Sequence, residues 1–172
     1  MYVRVTLGNI SSGKARELAR ISEAYAADDI RITVNQGLLL KFVPEAALSA
    51  LYRELSILGL DQPGFHSAGY ITACPGTDTC NLGISSSTGI TRELEKVIHE
   101  EYPDLIYETD LKIKISGCMN SCGQHSLAQI GFHGSSIKSG ALVLPALQLV
   151  LGGGVTGDGK GRFSEKILKF PS

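Results

Sequence analysis

The sequence predicts an α+β protein in two parts, a βαββα unit over residues 1–66 and an α/β unit over residues 67–172. Three observations lead there. The hydrophobic period switches between two and 3.6 along the chain, marking alternating strands and helices. A loop rich in Pro, Gly and Ser, Asp61 to Gly69, punctuates that order. All four cysteines fall after that loop, in two pairs that each follow a strand pattern.

Tyr2 to Leu7 alternates apolar and polar residues as a half-buried strand does, and the Gly-Asn-Ile-Ser-Ser-Gly that follows is a loop with Ser12 as candidate helix cap. Ala15, Leu18, Ala19, Tyr25 and Ala26 then recur at helical spacing. Ile30 to Val34 and Leu38 to Phe42 are β-rich runs around Asn35-Gln36-Gly37, a hairpin turn in which Gly37 can take a positive φ. Pro44 opens a second helix whose stripe is Ala47, Leu48, Leu51, Leu55 and Leu58, with Gly59 closing it.

Beyond the loop, Tyr70 to Ala73 is a strand ending at Cys74. Thr88 to Tyr102 is a helix with Ile90, Leu94, Val97 and Ile98 on one face, and Pro103 stops it. Leu111 to Ser116 alternates as a strand and delivers Cys118; Gln129 to His133 and Ala141 to Leu151 are further strands. Gly152 to Gly161 reads as a flexible, glycine-rich end.

At 172 residues and 43% hydrophobic, the chain can bury a core without disulfide staples, so its cysteines need another explanation. Sixteen Lys and Arg against seventeen Asp and Glu exclude a protein devoted to neutralising nucleic-acid phosphates. The N-terminus has no basic segment followed by an apolar one, and the longest apolar stretch, broken by Pro145 and Gln148, falls short of the ~20 residues of a spanning helix. The expected setting is cytoplasmic, with neither membrane nor nucleic acid as partner, where thiols serve more often as ligands than as disulfides.

The spacing is Cys74-x5-Cys80, then 37 residues, then Cys118-x3-Cys122. Four thiolates suit a zinc ion or an iron-sulfur cube. Five intervening residues favour the bulkier cluster over a tight zinc knuckle, and Gly76, Gly83, Gly117 and Gly123 let backbone amides approach its sulfurs. Zinc and unligated buried cysteines remain as alternatives.

CPGTDTC followed by GCMNSC resembles the double-cysteine signature of the siroheme-dependent sulfite and nitrite reductases. Independently, Ile30 to Leu38 resembles the R-x-T-x-N-Q-N-L stretch of the ferredoxin-like half-domain in those enzymes, with Gly37 in place of the second Asn. The resemblance implies a ferredoxin-like half-domain over residues 1–66 and an iron-sulfur/siroheme-binding domain over 67–172. It implies that Cys74, Cys80, Cys118 and Cys122 hold a [4Fe-4S] cluster, that Cys122 also ligates the siroheme iron, and that Asn120 contacts the macrocycle. Asn120 as a simple turn residue is the competing reading.

The resemblance covers almost the whole chain but only the cluster-bearing, C-terminal half of such enzymes. The anion-gripping Arg and Lys residues of the family lie mainly in the other half, so no catalytic residue is assigned here and the chain alone is expected to turn over little or nothing. The implied partners are that missing half or a second copy of the chain, an electron donor such as ferredoxin or a flavoprotein, and sulfite or nitrite. A stand-alone iron-sulfur electron-transfer module and a zinc-stabilised structural domain are the alternatives.

Other motifs carry less. Gly8 to Ala15 is one residue from a P-loop, but Ala15 replaces the magnesium-binding Ser or Thr, so it reads as a loop and helix start with Lys14 solvated. His66, His99, His125 and His133 lack ligand spacing and read as core or surface residues. Lys112 and Lys114 read as a solvated strand face, with a cofactor carboxylate as the alternative. Leu149 to Gly153 resembles a family stretch near the siroheme.

Overall fold

The computed structural model describes residues 1–171 and divides into two compact units, Met1–Phe65 and the residues from His66 onward. The first is α+β. Strands β1 (Tyr2–Val3), β2 (Ile30–Ile32) and β3 (Leu38–Leu40) form an antiparallel sheet in the order β1-β3-β2, with Tyr2 opposite Leu39 and Ile30 opposite Leu40. Helices α1 (Ser12–Tyr25) and α2 (Leu48–Ile57) contribute Leu18, Ile21, Leu51 and Leu55 to a core completed by Val3, Val5, Leu40 and Leu60. Each such fully buried side chain contributes about 1.5–3 kcal/mol.

Three local expectations are corrected. The first strand stops at Val3, because Arg4 turns inward and donates from Nη1 to Pro63 O at 3.2 Å, after which Thr6–Gly8 coil into a 3-10 turn. The cap of α1 is Ser11, not Ser12: Ser11 has the extended backbone a cap requires, and its Oγ accepts the Lys14 N–H. In the β2–β3 turn Gln36, not Gly37, takes the positive φ (64°), while Thr33 Oγ1 accepts the Gly37 N–H and Thr33 N–H bonds to Gly37 O. Gly59 does close α2, with a φ of 63°, and Leu60 N–H bonds back to Leu55 O.

The second unit is a five-stranded mixed sheet in the order β10-β7-β6-β5-β4. Its strands are β4 (Thr72–Ala73), β5 (Ile113–Ser116), β6 (Ile130–Ser139), β7 (Leu142–Leu151) and β10 (Glu165–Pro171), while β8 (Gly154–Val155) and β9 (Gly161–Arg162) form a separate hairpin. β4, β5 and β6 are parallel, and the β4-to-β5 crossover is α3 (Ser87–Glu101). β6 and β7 form a long antiparallel hairpin, and β10 pairs with the far side of β7.

The glycine-rich stretch expected to be flexible is instead organised by backbone pairing, Gly154 opposite Arg162 and Val155 opposite Gly161 with Thr156 N–H bonded to Lys160 O, and the Arg162 side chain adds a bond from Nε to Gly152 O. α3 also presents a different face. Thr88, Thr91, Glu95 and Ile98 are buried whereas Val97 is exposed, because Glu95 Oε1 turns inward to accept the Ile71 N–H at 3.1 Å. Among the described residues, no helix is long and apolar enough to cross a membrane.

Candidate cofactor site

Register brings the two cysteine segments together. Ala73 on β4 lies opposite Ile115 on β5, and Cys74 N–H extends the pairing by one residue, donating to Ile115 O at 3.1 Å. Both strands therefore end side by side, and their following loops share the crevice outside the carboxyl ends of a parallel pair, a place where open sheets commonly bind ligands.

The first loop coils through Gly76–Asp78, with Cys80 N–H bonded to Gly76 O and Gly83 N–H to Cys80 O, and Thr88 Oγ1 tethers it to α3 through Asp78 Oδ2 at 2.8 Å. The second loop begins at Gly117, where the two backbones abut: a Cβ on Gly117 would lie 2.5 Å from Gly76 Cα. Gly117 O accepts from the amides of Ile84 and Ser85. Only hydrogen at both glycines permits this approach.

Between the loops lies a cavity of about 150 Å³ lined by Cys74, Cys80, Cys118, Cys122 and Asn120. All four cysteines are free; Cys118 is buried, Cys74 half-buried, and Cys80 and Cys122 are exposed at the rim. Pro75 and Leu82 supply apolar wall, and Gly117 N–H donates to Cys74 Sγ at 3.1 Å. Ser87 Oγ, in the first turn of α3, lies 3.9 Å from the same sulfur.

Four thiols around one cavity are a donor set that fits a polynuclear centre as well as a single ion. Among the described residues no three His, Cys, Asp or Glu side chains converge closely enough to hold a metal ion as they stand.

Beneath the second loop is a buried polar layer that sequence reasoning did not foresee. Lys114, expected on a solvated face, is only 9% exposed and donates from Nζ to Gln124 Oε1 at 2.6 Å. Ser116 Oγ accepts the Gly123 N–H at 3.1 Å and lies 2.9 Å from His125 Nδ1. The His125 ring lies 4.7 Å from that of His133, tilted by 40°, and His133 Nδ1–H donates to Gly134 O. Burial, with the His133 neighbour adding to it, pushes the His125 pKa down to about 4. Burial and Lys112 lower that of Lys114. The strand period puts Lys112, Lys114 and Ser116 on one face, but which face is covered follows only from the pairing of β5 with β6.

The remaining sequence candidates lie elsewhere. Lys112 Nζ is held by the carbonyls of His66 and Thr109. Lys14 Nζ approaches Gly59 at the C-terminal end of α2, a favourable place for a cation. Gly153 packs against the carbonyls of Ser126 and Ala128.

Known proteins resemble this chain over most of its length. Residues 1–56 match the nitrite/sulfite reductase ferredoxin-like half domain. The chain is similar to the assimilatory ferredoxin-dependent nitrite reductase of Haloferax mediterranei, at 30% identity over 88% of this chain and 26% of that protein. It is similar to the ferredoxin–nitrite reductase of Synechococcus elongatus, at 29% identity over 89% of this chain and 29% of that protein. Among solved structures, the Mycobacterium tuberculosis NirA protein aligns with a TM-score of 0.80 and 28% identity, over 99% of this chain and 32% of the other. A dissimilatory sulfite reductase I aligns over 99% of this chain and 57% of its own at TM-score 0.77 and 9% identity, a likeness of fold alone. The chain thus spans about a quarter of the length of the curated relatives it matches.

Proposed function

We propose that this chain belongs to the nitrite/sulfite reductase family and is the cofactor-bearing portion of such a reductase. Residues 1–66 serve as the ferredoxin-like half-domain and 67–172 as the cofactor domain. Cys74, Cys80, Cys118 and Cys122 hold a [4Fe-4S] cluster, Cys122 is shared with a siroheme iron, and Asn120 at the rim contacts the macrocycle. The observation that carries this reading is the convergence of all four thiols on one cavity of about 150 Å³.

When bound, the two groups would supply one-electron relay and a coordination site for the six-electron reduction of nitrite or sulfite. The chain's own residues do the rest. Cys74 and Cys118 form the sheltered side of the cradle, while Cys80 and Cys122 stand exposed at its mouth, where a second group has access to Cys122. The Gly117 N–H, which donates to Cys74 Sγ, would offset negative charge on that sulfur if it held a cluster. Pro75 and Leu82 line the cavity with apolar surface.

Substrate capture needs cations aimed at the mouth. Lys112 and Lys114, the basic residues on β5 and its approach, are engaged by protein oxygens instead. Anion binding is therefore assigned to residues outside this chain, and the chain alone does not turn over. A ferredoxin donor and a cytoplasmic setting complete the proposal, the donor resting on the names of the relatives.

Anaerobic reconstitution with iron and sulfide tests the reading. About four irons and four sulfides per chain, with a broad blue shoulder, are expected. Added siroheme should give Soret-like and red bands that Cys122→Ala abolishes. A colourless protein that takes up only zinc would overturn the proposal, and a cluster without siroheme uptake would reduce it to an electron-transfer module.

A further inference from the structure

Ser121 and Gln124, on either side of Cys122 and Gly123, both sit in the left-handed region, with φ of 60° and 59°. Neither is glycine, and a side chain in that region is strained unless its surroundings impose the conformation. The surroundings here are specific. Lys114 Nζ donates to the Gln124 side chain, Ser116 Oγ receives the Gly123 N–H and lies against His125 Nδ1, and the Ser121 and Ser126 hydroxyls are 3.1 Å apart.

Lys114 and Ser116 are alternate residues of one strand, paired in register with Gly131 and His133 of β6. Gly131 has no room for a side chain, since a Cβ there would lie 2.1 Å from His125 O. The turn is therefore pressed onto a rigid parallel pair and tied to it at two consecutive inward-facing positions. Cys118 leaves the same strand two residues after Ser116, so one strand face governs both thiols of the second pair.

We propose that Lys114 and Ser116 are positioning residues for Cys122: they hold the strained Ser121–Gln124 turn so that the Cys122 thiolate keeps one direction relative to Cys118. This rests on the four-thiolate reading above, and it assigns a role to two residues outside the lignand set. Removing either tie lets the turn relax toward ordinary backbone, so Cys122 swings out of the cavity wall it shares with buried Cys118 and opens access to that thiol, while Cys74 and Cys80, carried by the other loop, stay in place.

The test uses the full chain with Ser116→Ala, Lys114→Met and Ser116→Thr. In the metal-free protein, alkylation of Cys118 should quicken roughly tenfold in the first two, on the scale of one lost hydrogen bond, with Cys80 unchanged and Ser116→Thr, which keeps the hydroxyl, restoring protection. In the iron-loaded protein, both variants should shift the cluster's EPR g-values and midpoint potential at unchanged iron content. Equal acceleration at Cys74, Cys80 and Cys118 would mean general loosening and overturn the proposal, as would wild-type alkylation and g-values in both variants. Because alkylation is read without metal, failure of the wild-type chain to take up iron and sulfide would overturn the cluster reading alone, with the clamp judged on the thiol rates.

Discussion

Ser22 faces the core of the first unit from the C-terminal half of α1, 1% exposed, and among the described residues its Oγ has no hydrogen-bond partner. A buried hydroxyl without a partner is destabilising, and alanine is the better helix former, so Ser22→Ala should raise stability by about 1 kcal/mol. Urea unfolding checks this through a higher midpoint at unchanged slope. His125 gives a prediction of opposite kind. Its folded pKa is pushed down to about 4 by burial and by neighbouring His133, against an ordinary value near 6.5. The neutral ring is therefore the folded form: its contribution is fully present above pH 6.5 and is lost as the pH falls towards 4, where the unfolded chain alone takes up the proton. The loss amounts to roughly 3 kcal/mol at most across that window. His125→Asn should flatten this part of the stability profile, and equal slopes in both proteins would show that the ring is solvated.

At the scale of elements, the cysteine loops depend on two glycine backbones meeting. Gly117→Ala would drive a methyl to 2.5 Å from Gly76 Cα, against main chain that cannot rotate away. It should cost about 3 kcal/mol and cut iron uptake, whereas Gly140→Ala, in the open β6–β7 turn at φ 60°, should cost about 1 kcal/mol with uptake intact. Thermal unfolding and iron content of the two variants make the comparison. Elements with strong local signals were legible in the sequence: the Leu51 and Leu55 stripe, Gly59 as stop, Pro103 as the end of α3, and strands leading to both cysteine pairs. What escaped depends on partners distant in sequence. Arg4 spoils the first strand's alternation because Pro63 O is there to receive it, and α3 buries Glu95 because Ile71 N–H needs an acceptor. β8 and β9 pair through backbone alone, and no side-chain period announces them.

For the whole molecule, the division of labour follows from where the thiols lie. All four cysteines belong to the unit that begins at His66, and the apolar cluster of Val3, Ile21, Leu40, Leu51 and Leu55 belongs to Met1–Phe65. The close pairing of the cysteines was readable because spacing is a local property; the layer of Lys114, Ser116, His125 and His133 beneath them was not, because it forms only when β5 and β6 adopt their register. Cofactor loading and core substitution should therefore act on different residues. A group that binds only the folded site stabilises it by RT ln(1 + [L]/Kd), about 2.7 kcal/mol at a hundredfold excess over Kd. Hydrogen exchange of the iron-loaded chain should accordingly slow at β4, β5 and the Cys74–Gly83 and Gly117–His125 loops, with amides of residues 1–65 unchanged. Leu51→Ala should do the reverse, costing the first unit about 2–5 kcal/mol through the cavity it leaves while iron uptake persists. If loading instead slowed exchange throughout residues 1–65, or Leu51→Ala abolished uptake, the site would depend on both units for its stability, and residues 67–172 would not suffice as the cofactor domain.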